Sequence, residues 1–215
     1  MNDPDTSSSS STPAPIDVDV LVVGAGPVGL TLANELARRH VRVRVVEKSP
    51  SIREVSKALI LHVRTQEALD KVGIMPAARA EAQPLREVVV HGYGKHIGSW
   101  HLDGIDSPYQ HPLIIGQNRT QHLLLEALKE RGVRVEWNCE AMNLAVEESG
   151  ATLTLRHTGL GTAAGQEETL RAAYVVGCEG SKSLVRKVTV CLNKLLPAVV
   201  LAFKREPERL AYKTL

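Results

Sequence analysis

The sequence predicts an α/β domain built on a parallel sheet, and three observations carry that prediction. Residues 18–23 are β-branched and nearly all apolar, as a strand buried on both faces must be. A glycine-rich turn follows at 24–29, and residues 27–40 then read as a helix with Leu30, Ala33, Leu36 and Ala37 on one stripe. Residues 42–46 form a second strand. Strand, turn, helix and strand make a βαβ unit, whose crossover requires parallel strands.

Order is expected to begin near Asp17. Residues 1–16 are rich in serine, proline and acid and hold no apolar core, so they read as a disordered lead-in and not as a secretory signal. After the second strand, residues 49–61 read as a loop and residues 65–72 as a short helix stopped by Gly73. Two strand-like runs, 85–91 and 96–102, join around Gly92 and Lys95 as an antiparallel hairpin. Residues 103–112 are loop. Asn118 is placed to cap a helix that runs to Arg131, with Leu124, Leu125 and Leu128 toward the core, and Gly132 ends it. A strand at 133–137 follows. Runs at 142–146, 152–156 and 168–172, separated by turn-rich stretches, predict an antiparallel meander. A last buried strand at 173–176 leads into Gly177-Cys178-Glu179-Gly180.

Composition narrows the function classes. The 215 residues suffice for one domain with a small appendage. The net charge of +2, from 26 basic and 24 acidic side chains, argues against nucleic acid or an anionic membrane as partner. Aromatic residues at 3% are too sparse for a base-stacking platform along a strand of nucleic acid. The three cysteines, Cys139, Cys178 and Cys191, are odd in number and form no CxxC pair, which reads as reduced thiols in a cytoplasmic setting. No apolar run reaches the length of a membrane span.

The turn Gly24-Ala25-Gly26-Pro27-Val28-Gly29 is a GxGxxG fingerprint. The first glycine permits the tight turn, the second lets the backbone approach a pyrophosphate, and the third lets the helix pack closely on the strand. The phosphates then face a helix N-terminus, where free N–H groups and the dipole favour negative charge. Glu47 ends the second strand, where a carboxylate accepts hydrogen bonds from an adenosine ribose and repels a 2′-phosphate. The strand–turn–helix context is what distinguishes the motif from a chance glycine bend.

Four segments extend this reading. The stretch VLVVGAGPVGLTLANELARRHVRVRVVEKSP at 20–50 resembles the opening of the group A flavoprotein monooxygenases, the family of p-hydroxybenzoate hydroxylase and phenol hydroxylase. The segment SKALILHVRTQE at 56–67 is similar to the family's next landmark, with Lys57 where an arginine near FAD is usual. Lysine keeps the charge but loses the planar fork that grips a phosphate bidentately. LIIGQNRT at 113–120 resembles the third landmark, whose glutamine, here Gln117, contacts the flavin nucleotide; Gln121 stands where a glutamate is common. YVVGCEGSKSLVRK at 174–187 resembles the DG motif, tied to FAD and NAD(P)H binding, with Glu179 in place of the aspartate.

The resemblance covers residues 17–187, which are expected to form the FAD-binding domain, with 85–113 as the start of a substrate domain whose sheet is incomplete. It implies FAD as cofactor, NAD(P)H as co-substrate, O2 as oxidant and an electron-rich, phenolic substrate. The residues it assigns to the cofactor are Gly24, Gly26, Gly29, Glu47, Lys57, Gln117 and Glu179. No catalytic residue is assigned, because the oxygen chemistry belongs to the flavin. Residues 188–215 carry no motif, and no glycine follows Ser181, so the family's GD segment has no counterpart and a truncated product is expected. Two other classes remain open: a catalytically incompetent nucleotide-binding module, and an NAD-binding reductase-like domain. His91, His96, His101 and His111 lack metal-ligand spacing, and no GxSxG elbow is present.

Overall fold

A computed structural model of the chain describes residues 15–54, 59–102, 105–147, 149–159, 165–180, 183–191 and 199–201. The first strand, β1 (Val18–Val23), leads through the glycine turn into α1 (Pro27–Ala37) and back through β2 (Val43–Glu47). A short strand β3 (Ile60–Leu61), two helices α2 (Val63–Val72) and α3 (Met75–Glu81), and β4 (Gln83–Pro84) follow. Next come β5 (Glu87–Gly92), β6 (Lys95–His101), β7 (Leu113–Ile114), α4 (Gln117–Glu130) and β8 (Val135–Trp137). The chain continues with β9 (Cys139–Glu147), β10 (Gly150–His157), β11 (Glu167–Gly177), α5 (Leu184–Cys191) and β12 (Val199–Leu201).

The main sheet has the order β8-β2-β1-β11-β10-β9, and β12 also pairs with β11. Strands β8, β2, β1 and β11 run parallel, with Val22 opposite Val45 on one side and Val176 on the other. The two faces of β1 sort by alternation, as strand geometry requires. Val20 and Val22 pack with Leu30, Ala33, Leu124 and Leu128 under α1 and α4. Leu21 and Val23 pack with Leu144, Leu153, Leu170 and Val175 against the meander, together with Val185 of α5. Between α1 and α4, the fully buried Asn34 donates to the Leu30 and Leu124 carbonyls at 2.9 Å and accepts from Arg131. A buried amide so satisfied locks the two helices in one register.

Several boundaries differ from the sequence reading, each for an identifiable reason. The helix expected over 27–40 ends at Ala37, because His40 turns the chain at a φ of 61° and Val41 donates back to the Leu36 carbonyl. Asn118 is not the cap of α4. Gly116 holds that position in extended geometry, and the Asn118 amide donates to Glu54 instead. Helix α3 escapes the sequence reading although Pro76 sits in its first turn, where a missing N–H costs nothing. The strands expected at 168–172 and 173–176 are one strand, β11. Its first half pairs antiparallel with β10, while Ala172 to Gly177 run alongside β1.

Beyond the main sheet, β3, β7 and β4 form a small sheet and β5–β6 stand apart as a hairpin. Lys57 lies outside the described residues, as do residues 1–14 and most of 188–215.

Candidate cofactor-binding site

The carboxyl ends of β1, β2 and β11 meet the N-terminus of α1, the place where an open α/β sheet leaves a crevice. Gly24 follows β1 at a φ of 106°, a conformation reserved for glycine, and its N–H donates to the Val46 carbonyl at 2.8 Å. A Cβ on Gly24 would lie 2.7 Å from the Cys178 carbonyl oxygen, and one on Gly29 would lie 1.9 Å from the Gly24 oxygen. These two glycines press the turn against β11 and press α1 against the turn. Gly26 differs, since a Cβ there would meet nothing within 4 Å. It caps α1 in extended geometry with no acidic side chain in the first turn, so the helix presents its amides to open space.

That space is a cleft of about 480 Å³, lined by Gly26, Glu47, Gln117 and Glu179 among others. Its size suits a small-molecule ligand. Gly24 and Gly29 do not line it; they shape its wall from behind. Glu47 is fastened at both oxygens, accepting from the Ala25 N–H and from the Ser49 N–H, each at 2.9 Å. Each carboxylate oxygen keeps a further lone pair for a ligand hydroxyl. Gln121 donates to the Ala25 carbonyl at 3.3 Å, which a glutamate in its place would not do. The departure from the family pattern therefore ties α4 to the glycine turn.

Glu179 has a second commitment. Its carboxylate accepts from the Ser183 hydroxyl at 2.5 Å and from the Leu184 N–H at 3.0 Å, so it holds the start of α5 while its side chain borders the cleft. Beside it, burial and then the Glu179 charge push the Cys178 thiol up to about 12, which leaves it protonated and unreactive near neutral pH. Burial likewise raises Cys139 to about 11.

Lys48, Arg53, Arg186 and Trp137 also line the cleft, and the sequence reading assigned none of them. Their signal is tertiary. Trp137 reaches the cleft only because β8 pairs with β2, which places it opposite Glu47. The cleft lining thus carries three cations and two carboxylates, Glu47 and Glu179, an excess of positive charge that favours an anionic ligand. The described residues contain no group of His, Cys, Asp or Glu able to hold a metal. Nor is any helix among them long and apolar enough to cross a membrane. A second hollow, of about 740 Å³, is bordered by α1, α2, α4 and by Val20 and Val176 of the sheet, and is almost wholly apolar; its single acid, Glu35, is paired with Arg38 and Arg39.

A glycine turn with an open second position, a helix N-terminus and a strand-end carboxylate define a dinucleotide-binding α/β domain. The chain belongs to the FAD binding domain family, whose sequence profile matches residues 17–191. It is 36% identical over 169 residues to 6-methylpretetramide 4-monooxygenase of Streptomyces rimosus, covering 78% of this chain and 29% of that protein. It is also 36% identical to a flavin-dependent monooxygenase of Mycobacteroides abscessus, covering 78% of this chain and 36% of the relative. Among solved structures it is similar to p-nitrophenol 4-monooxygenase from Pseudomonas putida DLL-E4, with a TM-score of 0.71 and 28% identity over 80% of this chain and 42% of that one. The flavin-dependent monooxygenase PieE, solved in complex with FAD and substrate, matches at a TM-score of 0.71 and 26% identity, covering 83% of this chain and 33% of that one. The chain thus spans about a third of the length of the curated relatives it matches.

Proposed function

We propose that this chain is the FAD-holding portion of a flavin-dependent monooxygenase that hydroxylates an aromatic, phenolic substrate with NAD(P)H and O2. The observation that carries the reading is Gly26: it stands at the head of α1 with open space where a side chain would be, beside a carboxylate at the end of β2. The residues present fit the dinucleotide. Amides at the start of α1 hold the pyrophosphate, with Gly24 and Gly29 fixing the turn that aims them. Glu47 accepts the adenosine ribose hydroxyls, and its bonds to Ala25 and Ser49 keep it in place beforehand. Gln117, at the first turn of α4, hydrogen-bonds the nucleotide, and Lys57 adds positive charge. Glu179 positions the start of α5 along the same cleft.

When bound, FAD supplies the redox chemistry, accepting reducing equivalents from NAD(P)H and activating oxygen for insertion into the ring. The aromatic substrate is supported by the names of relatives such as para-nitrophenol 4-monooxygenase and pentachlorophenol 4-monooxygenase. The unpaired thiols of Cys139 and Cys178 support a cytoplasmic setting.

The test is a titration of the purified chain with FAD, followed by flavin absorbance and fluorescence. Saturable binding is expected. Glu47→Ala removes an acceptor for two ribose hydroxyls and is expected to weaken binding by about tenfold or more. A folded protein that binds no FAD overturns the reading. A second reading, a nucleotide-binding module without turnover of its own, is favoured by the exposed valines of the β5–β6 hairpin. It predicts stoichiometric FAD binding with no substrate-dependent NAD(P)H oxidation, and oxidation restored by a second polypeptide.

A further inference from the structure

We infer that Trp137 is the aromatic wall on which the adenine ring of the bound nucleotide stacks, an inference that rests on the reading of the cleft as an FAD site. Strand register places the indole beside Glu47. Val23 of β1 lies opposite Val46 of β2, so Gly24, Glu47 and Trp137 fall in one row across three parallel strands. Neighbouring strands lie ~4.8 Å apart. The row therefore leads outward from the glycine turn, through the ribose-binding carboxylate, to the indole. A nucleotide with its pyrophosphate at α1 and its ribose at Glu47 has its base one strand farther on, at the end of β8.

The indole is built to stay there. Trp137 borders the cleft and packs, half-buried, against the apolar core beneath α1 and α4. Immediately after it the chain turns at Asn138, with a φ of 55°, and the Asn138 N–H donates to the Ser49 carbonyl at 3.1 Å. Ser49 is the residue whose own N–H holds Glu47. The loops after β2 and β8 are thus tied together, and the ribose acceptor and the indole move as one unit. No other aromatic side chain among the described residues lines the cleft. An indole fixed in this way at the rim of the cleft can stack on a flat base with little loss of side-chain entropy on binding.

The sequence makes the inference readable. The chain has two tryptophans, and the other, Trp100, lies on the exposed hairpin away from the cleft. In a Trp100→Phe protein, Trp137 is the sole indole. Titration with ADP, which carries the base without the flavin's absorbance, is expected to quench its emission saturably. In calorimetry, Trp137→Leu is expected to weaken ADP and FAD by about tenfold, the size of one base stack, while Trp137→Phe stays within about threefold of wild type. Inorganic pyrophosphate, which lacks the base, is expected to bind wild type and Trp137→Leu equally. ADP binding with unchanged indole emission, or a folded Trp137→Leu that binds ADP as tightly as wild type, overturns the inference and leaves the FAD reading standing. A wild-type protein that binds neither FAD nor ADP overturns both. If Trp137→Leu does not fold, the quenching titration still decides.

Discussion

The cleft and the β5–β6 hairpin are both built from short runs of sequence, yet they are held in opposite ways. At the cleft, three loop residues are each fixed by a neighbour from another part of the chain: Gly24 by Val46 and Cys178, Ala25 by Glu47 and Gln121, Ser49 by Asn138. In the hairpin, the strands pair only with each other, and Val88, Val89, Val90, Ile97 and Trp100 are all exposed, Ile97 to 65%. A two-stranded sheet gains little stability in water by itself. The comparison shows that the nucleotide end of the molecule is determined within the described residues, whereas the hairpin presents an apolar surface to solvent.

Three substitutions test this contrast between cleft and hairpin. The largest effect is expected from Gly29→Val. A Cβ at 1.9 Å from a backbone oxygen cannot be relieved by a rotamer change, so α1 must move off the turn. A loss of about 3 kcal/mol or more in urea unfolding is expected, together with loss of FAD binding. A stable Gly29→Val protein would mean the turn is looser than its contacts imply.

Gly26→Ala is expected to separate binding from folding. The backbone there is extended and a Cβ meets no atom, so stability changes by less than about 1 kcal/mol. The added methyl enters the cleft, and FAD affinity is expected to fall by about tenfold, read by the same titration. Unchanged affinity would remove the pyrophosphate from the head of α1. The smallest effect belongs to Val89→Thr in the hairpin, at 45% exposure, where thermal unfolding is expected to shift by no more than about 0.5 kcal/mol. A larger loss would show that the hairpin is packed in solution.

What the sequence made legible follows from how local each rule is. The glycine turn, the strand before it and Glu47 are readable because their spacing is set within one βαβ unit. The hairpin was readable as two strand-like runs joined around Gly92 and Lys95. Trp137 was not, because nothing in residues 133–137 tells which strand they join; only the Glu47 to Trp137 register brings the indole to the cleft. The role of Gln121 was hidden for the same reason, since its partner Ala25 is 96 residues away. Glu179 was singled out by resemblance and does line the cleft, but its bonds to Ser183 and Leu184 depend on where α5 begins. The break expected between residues 172 and 173 arose from reading pairing partners as separate strands, when one strand changed neighbours partway along.

That strand has a mechanical consequence. Over its 11 residues β11 passes from the antiparallel meander into the parallel rows and ends at Gly177, on the rim of the cleft. It is a common spine, hydrogen-bonded to β10 for the first half of its length and to β1 for the rest. Loosening the meander therefore pulls on the rim, and a ligand gripping the rim stiffens the meander. The two sheet halves should melt together as a single cooperative unit, and neither can be trimmed away without unseating the other.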